Sequence, residues 1–450
     1  MKTTLLRRMA ALSLTVMTLT GFSSGTVVSA AGRTAPSAVT AAAVAAPYLF
    51  AANQDGTLTI TQYTGHDAAV RIPSTINGKQ VTAIGASAFV NCTTVKSLFL
   101  PKSVRTVSGT AFVGCHDLTA FQVESGHAYY TVADGVLFNK SRSTLVAYPG
   151  GKTGAYTVPN TVTLIDSHAF SECNTLTAVT IPTSVKTIGF NAFALCKGLT
   201  KVTLNEGLTT IKTGAFNGCS KVTLVTLPKS LTTLESYAFS FCRSLKSMAI
   251  PSKITSLPFS LFEGCTALRY VQIPSGVKKV YSNAFRNCVS LTSVRLPKAV
   301  TNIYGLAFCG CHQLTNLTIL STTAQMQPIA FDDCPNLTIY GKKGSTAEAA
   351  AKAAGIPFST QTAPAQSLST VTAAKKTVTV KAKAIDGTGP YRFAVYYLAP
   401  NSKVWREVQD YSTNNTISFA ATRSGTYQVV IRIKDAANRI TQTNTAVDVK

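Results

Sequence analysis

Cysteine and histidine stand side by side twice in this chain, as Cys115-His116 and Cys311-His312. Together they could supply zinc ligands, or a thiol nucleophile with its base. Their setting argues against both. Each cysteine closes a Phe-x-x-Cys unit, and in other units the next residue is Thr93, Asn174, Lys197, Ser220 or Arg243. The two histidines therefore occupy a variable, outward position, and the pairs lie many units apart. The segment "GGKTG" at 150–154 offers a Gly-Lys-Thr, but a phosphate loop needs a glycine where Val146 stands. It reads as a turn. No Gly-x-Ser-x-Gly occurs, and nothing beside the acid pair Asp332-Asp333 would hold two carboxyls at different pKa values. The expectation is a protein that is not an enzyme, with no catalytic residue, no metal and no cofactor.

What repeats is the Phe-x-x-Cys unit itself. Its phenylalanines fall at Phe89, Phe112, Phe170, Phe193, Phe216, Phe239, Phe262, Phe285, Phe308 and Phe331, always 23 residues apart except for one step of 58. A fixed period in the twenties with Leu-x-x-Val-x-Ile at one phase predicts a solenoid poor in helix, each coil adding a short strand to a parallel sheet. One coil cannot bury its apolar face, whereas stacked coils share a core. The cysteines at Cys92, Cys115, Cys173, Cys196, Cys219, Cys242, Cys265, Cys288, Cys311 and Cys334 then form a ladder at about the 4.8 Å strand spacing. That is too wide for the roughly 3.5–4.5 Å between Cβ atoms that a disulfide wants, so they read as buried free thiols packing as small hydrophobes. Cys309 lies off the ladder.

Around the solenoid the chain divides. Lys2, Arg7 and Arg8, an apolar run and a small-residue end predict a secretory signal peptide at 1–30, followed by an Ala-rich linker at 31–46. Asp55-Gly56 between alternating runs predicts a hairpin cap over 47–84. The solenoid should occupy 85–358. Its long step leaves one coil about 12 residues longer, read as a hairpin near 132–149 projecting from the stack. A terminal helix is expected at 345–355 with Ser345 or Thr346 as N-cap, then a linker at 359–366. From 367 to 450 the alternation predicts an antiparallel β-sandwich with Trp405, Tyr396, Tyr411 and Tyr427 in its core.

"IPTSVKTIGFNAFALCKGLTKVTL", the "IPSTINGKQVTAIG" before it and the terminal "GSTAEAAAKAAGIPF" resemble the BspA-type leucine-rich repeat over about Tyr48 to Phe358. The tail, through "WREVQDYS" and "SGTYQVVIRIKDAAN", is similar to the triple-tyrosine, immunoglobulin-like domain of exported bacterial proteins. The first resemblance implies a bacterial surface or secreted protein of an adhesion or binding class, without shared catalytic residues or a fixed ligand.

In Leu-x-x-Val-x-Ile the intervening residues face outward and can be read in columns. Most are Thr or Ser; the departures gather at Lys246, at Arg269, Tyr270 and Gln272, and at Arg295, a basic patch with one aromatic. The formal charge is +24, and +21 once Lys2, Arg7 and Arg8 are removed, which favours acidic partners. Export points away from nucleic acid and toward an anionic extracellular polymer, such as a teichoic acid or acidic glycan, or a host surface protein. No segment after the signal has the run of apolar residues needed to span a bilayer. The expected function is binding or adhesion at the cell surface; the alternative is a structural protein held on anionic wall polymers by charge alone.

Overall fold

The Leu-x-x-Val-x-Ile stretches become short strands that pair in parallel one coil apart, as Ala178 with Lys201, Tyr270 with Ser293 and Arg295 with Thr318. The computed structural model describes residues 43–45, 47–367, 369–374, 376–385 and 389–449, so the expected signal peptide lies outside the described residues. A second line of two-residue strands, including Leu164–Ile165, Thr187–Ile188 and Thr210–Ile211, joins the same coils. A third line runs through the motif itself: the Phe193 amide donates to the Ala215 carbonyl at 2.8 Å, and Phe216 repeats this to Ala238 at 2.9 Å. Three lines of backbone hydrogen bonds per coil explain why every element of the 23-residue unit must recur.

Inside, the phenylalanines stack. Phe193 and Phe216 have ring centroids 5.1 Å apart and planes 4° from parallel, and Phe285 and Phe308 are 5.2 Å apart at 7°. Where the period breaks, Tyr148 takes the missing place and stacks on Phe170 at 4.7 Å. At the N-terminal end Tyr63 stacks on Phe89 in the same way.

The cap hairpin forms, with Tyr48–Ala52 antiparallel to Leu58–Tyr63 around Gly56. The second hairpin departs from expectation. Val136–Asn139 and Thr144–Ala147 pair with each other, but they do not project: Val136, Leu137, Phe138 and Leu145 are buried, and Thr144–Ala147 goes on to pair in parallel with Leu164–Ile165. The reason is that both faces of the hairpin are apolar. Val136, Phe138 and Leu145 belong to one core cluster and Leu137, Val146 and Ala147 to another, so the hairpin is a partition between two cores.

The terminal helix spans Thr346–Ala353, its N-cap Ser345 accepting from the Glu348 amide, and buries Ala347 and Ala351. Beyond it, Thr370–Ala374, Thr377–Lys381 and Thr416–Ala420 form one antiparallel sheet, and Arg406–Ser412, Arg392–Leu398, Gly425–Lys434 and Ile440–Val449 another. Of the four aromatics expected in this core, Tyr427 alone is fully buried. Tyr396 and Tyr411 are half-buried and Trp405 is 46% exposed, because it precedes its strand at the end of a turn. Val395, Val429 and Ile431 fill the interior instead.

Candidate functional site

The Thr background of the outward columns has a structural cause. At the bend before each strand, Thr200 donates its hydroxyl to the Thr177 carbonyl at 3.0 Å, and Thr315 to the Thr292 carbonyl at 3.2 Å. Lys246 and Arg269 occupy this same column. The Arg269 amide donates to the Lys246 carbonyl at 2.9 Å, which sets the two side chains on successive coils, both exposed. Neither side chain has a hydrogen bond or ion pair among the described residues. Gln272 pairs with Ala249 and is exposed, Tyr270 is half-buried between Ser247 and Ser293, and Arg295 is exposed opposite Thr318. Counting 23 residues on from Gln272 reaches Arg295, so those two share a second column, with Tyr270 between it and the first. Tyr270 and Arg295 each already engage another protein group. The structure thus brings the five residues onto adjoining coils of one face, four of them in two columns and Tyr270 in the column between.

The face changes along its length. From the Arg295 coil onward outward residues are covered: Ser293 beside Arg295 is 1% exposed, and on the next coil Asn316 is 7% and Thr318 6% exposed. Before the patch it is open, with Lys201 exposed and Leu224 58% exposed. A further basic-aromatic pair escaped the column reading. The Arg71 guanidinium lies 3.7 Å over the Phe99 ring on the outward side of Ala69–Arg71 and Ser97–Leu100. Arg71 stands 28 residues before its partner, off the 23-residue step, so no column exposed it.

All eleven cysteines are free. The ladder thiols do more than fill space, because eight of the ten donate to the carbonyl of the phenylalanine 26 residues earlier, among them Cys196 to Phe170 at 2.9 Å, Cys219 to Phe193 at 3.1 Å and Cys265 to Phe239 at 3.0 Å, while Cys173 at the period break donates to the Tyr148 carbonyl. Burial pushes the Cys115 and Cys242 thiols up to about 12, which suppresses the thiolate that nucleophilic or redox chemistry needs. Next to ladder cysteines, His116 is half-buried and 3.9 Å from Glu172, and His312 is 2.8 Å from Asp333. Among the described residues no three His, Cys, Asp or Glu side chains are placed to hold a metal. Gly150 and Gly151 serve packing: a Cβ on either would lie 2.6 Å from the Cys115 or His116 carbonyl of the neighbouring coil.

The model of the BspA type leucine rich repeat region matches residues 68–144, 148–269 and 233–344. Among solved structures, a leucine rich cell surface protein from Faecalibacterium prausnitzii is 24% identical, covering 70% of this chain and 98% of that one at a TM-score of 0.38. A leucine-rich repeat protein from Eubacterium ventriosum is 23% identical, over 64% of this chain and 93% of that one, at 0.42. The pneumococcal vaccine antigen PcpA is 21% identical, over 64% and 61%, also at 0.42. No curated protein matches the chain. Among the described residues no helix is long and apolar enough to cross a membrane.

Proposed function

The chain belongs to the BspA-type leucine-rich repeat family, and on that premise we propose that it is a secreted or cell-surface binding protein whose outward sheet face takes an anionic extracellular polymer, a teichoic acid or an acidic glycan. The observation that carries this is the replacement of the hydroxyl column by Lys246 and Arg269 on successive coils, flanked by Tyr270, Gln272 and Arg295. A Thr there satisfies a carbonyl of its own chain; a Lys or Arg gives that up and presents charge outward. Cations at strand spacing of about 4.8 Å suit a polymer with closely repeated negative groups. The Tyr427 hydroxyl accepts from the Arg423 amide at 3.1 Å, a contact of the kind that corners immunoglobulin-like strands, and it supports the same reading of the tail.

Binding of a purified teichoic acid should fall steeply as salt rises from about 0.1 to 1 M. Changing Lys246, Arg269 and Arg295 together to Ser should remove most of it, and changing Lys79, Lys102 and Lys229 should remove little. Equal losses from both triples would favour the envelope-coat alternative, in which charge acts diffusely. Salt-insensitive binding to a neutral polymer would sink the polyanion reading.

A further inference from the structure

The C-terminal sheet carries a second cluster of cations on rings. Arg432 and Lys434 alternate on the strand Gly425–Lys434 and therefore share a face. The Arg432 guanidinium lies 5.2 Å from the centroid of Tyr396, and the Lys434 amine 5.6 Å from that of Tyr411. Arg432 pairs across the sheet with Gln442, whose side-chain oxygen accepts from its Nε at 2.9 Å. One nitrogen is thus fixed, the guanidinium is seated by a ring, and both Nη atoms have no acceptor among the described residues. That arrangement preorganises a two-pronged donor for a carboxylate. The Tyr411 hydroxyl is buried without a hydrogen-bond partner.

Trp405 completes the cluster. It precedes the strand Arg406–Ser412, where Glu407 pairs with Tyr396. Counting back from Glu407 returns Trp405 to the side of Tyr396, and its ring is 46% exposed. On this register Trp405 falls at the level of Leu398 and Arg432 at that of Ala394, so an exposed ring and a seated guanidinium flank Tyr396 along one face, and a sugar chain laid along it can pack on the indole with the Glu407 carboxylate accepting hydroxyl protons.

We propose that this face, formed by Tyr396, Trp405, Tyr411, Arg432, Lys434 and Gln442, is a second ligand site, and that it binds an oligosaccharide bearing carboxylates. The cations select the carboxylate, the indole stacks on the sugar, and Glu407 holds a hydroxyl. The site is separate from the solenoid face, and it stands or falls without it.

Trp405 is the chain's single tryptophan, so its fluorescence reports on this site alone. The full chain is titrated with a trigalacturonate, with neutral trigalactose and with inorganic sulfate, and the acidic trisaccharide is repeated by calorimetry. A saturable change in emission with the trigalacturonate is expected, at least about tenfold tighter than with trigalactose, as loss of a charged hydrogen bond implies. Arg432→Gln and Tyr396→Ala should each weaken it about tenfold with melting temperature retained, and Lys246→Ser with Arg269→Ser should leave it unchanged. Inorganic sulfate giving the same response at equal charge would reduce the site to a general anion contact and overturn the proposal. Binding that survives Arg432→Gln, or that disappears with the solenoid pair, would overturn it as well. If Arg432→Gln lowers the melting temperature, Arg432→Lys decides: it keeps the charge and loses the fork, so undiminished affinity counts against the proposal.

Discussion

At the scale of single residues, burial controls both the thiols and the buried histidine. The ladder thiols should react with an aromatic disulfide reagent only on unfolding, and denatured, unreduced protein should yield all eleven cysteines; fewer would mean that some pair in solution. His127 is 1% exposed, and its Nδ1 accepts from the Tyr129 and Tyr130 amides at 3.1 and 3.2 Å. That ring must be neutral, since a proton on Nδ1 would face two donors. Burial chiefly lowers its pKa, Lys140 adds to this, and the Pro101 carbonyl and Glu124 oppose it. The folded value lies below the unfolded one, so as pH falls below about 6.5 the unfolded chain takes up the proton first and stability is lost. His127→Asn, which keeps an acceptor and cannot be protonated, should show a smaller fall in melting temperature between about pH 7.5 and pH 5.5 than the parent. An equal fall in both would place the acid sensitivity elsewhere, His168 being the next group whose pKa is lowered by burial.

At the scale of one coil, the residue two past each Phe takes a positive φ, and the structure shows why that column alternates between Gly and larger side chains. Leu195 lies across Gly218 and Phe241 across Gly264: a Cβ on Gly264 would sit 2.5 Å from the Phe241 ring, at φ +69°. Asn91 with Gly114 and Asn287 with Gly310 repeat the arrangement. Gly264→Ala should therefore cost about 2–4 kcal/mol, from left-handed strain and the clash together. Adding Phe241→Ala should recover the clash part, and a double mutant no more stable than Gly264→Ala would refute the pairing. By comparison Phe216→Ala, in the middle of the ring stack, should cost roughly 3–5 kcal/mol. The period, strand phase, thiol ladder, cap hairpin and terminal helix were legible in the sequence because each is set by local spacing. The alternation of Gly218, Gly264 and Gly310 was also there to be read at every second coil, but its cause is a contact between coils that one unit does not show. The buried course of Val136–Asn139 and the exposure of Trp405 were not legible. A run that is apolar on both faces does not say whether it projects or divides, and a lone tryptophan gives no periodicity to place it. At the candidate face, Lys246, Arg269 and Gln272 could be assigned from the columns, whereas Arg71 and Arg432 could not, since their partners follow no 23-residue step.

For the molecule as a whole, a solenoid couples each coil chiefly to its neighbours, so its stability is close to a sum of local terms and can break where neighbour contacts change. The change lies at residues 136–148. On the N-terminal side the core runs from Tyr48 to Ala147 and includes Phe89 and Phe121; on the other it runs from Val136 to Ala351 and includes the long phenylalanine stack. The hairpin contributes Leu137 and Val146 to the first and Phe138 and Leu145 to the second. Each cluster buries its own apolar surface, and the sheet strands Ala69–Arg71, Ser97–Leu100 and Ala120–Val123 form a sheet distinct from the one that begins at Gly154–Thr157. Two cooperative units should follow. Hydrogen exchange should then assign one opening free energy to the buried amides of residues 48–133 and a different one to those of residues 154–350. Leu137→Ser, which removes an apolar contact and buries a hydroxyl on the first side only, should lower the first by roughly 2–4 kcal/mol and the second far less. Phe216→Ala should do the reverse. If either substitution lowered protection equally on both sides, the partition would transmit cooperativity rather than interrupt it, and the two cores would be one folding unit.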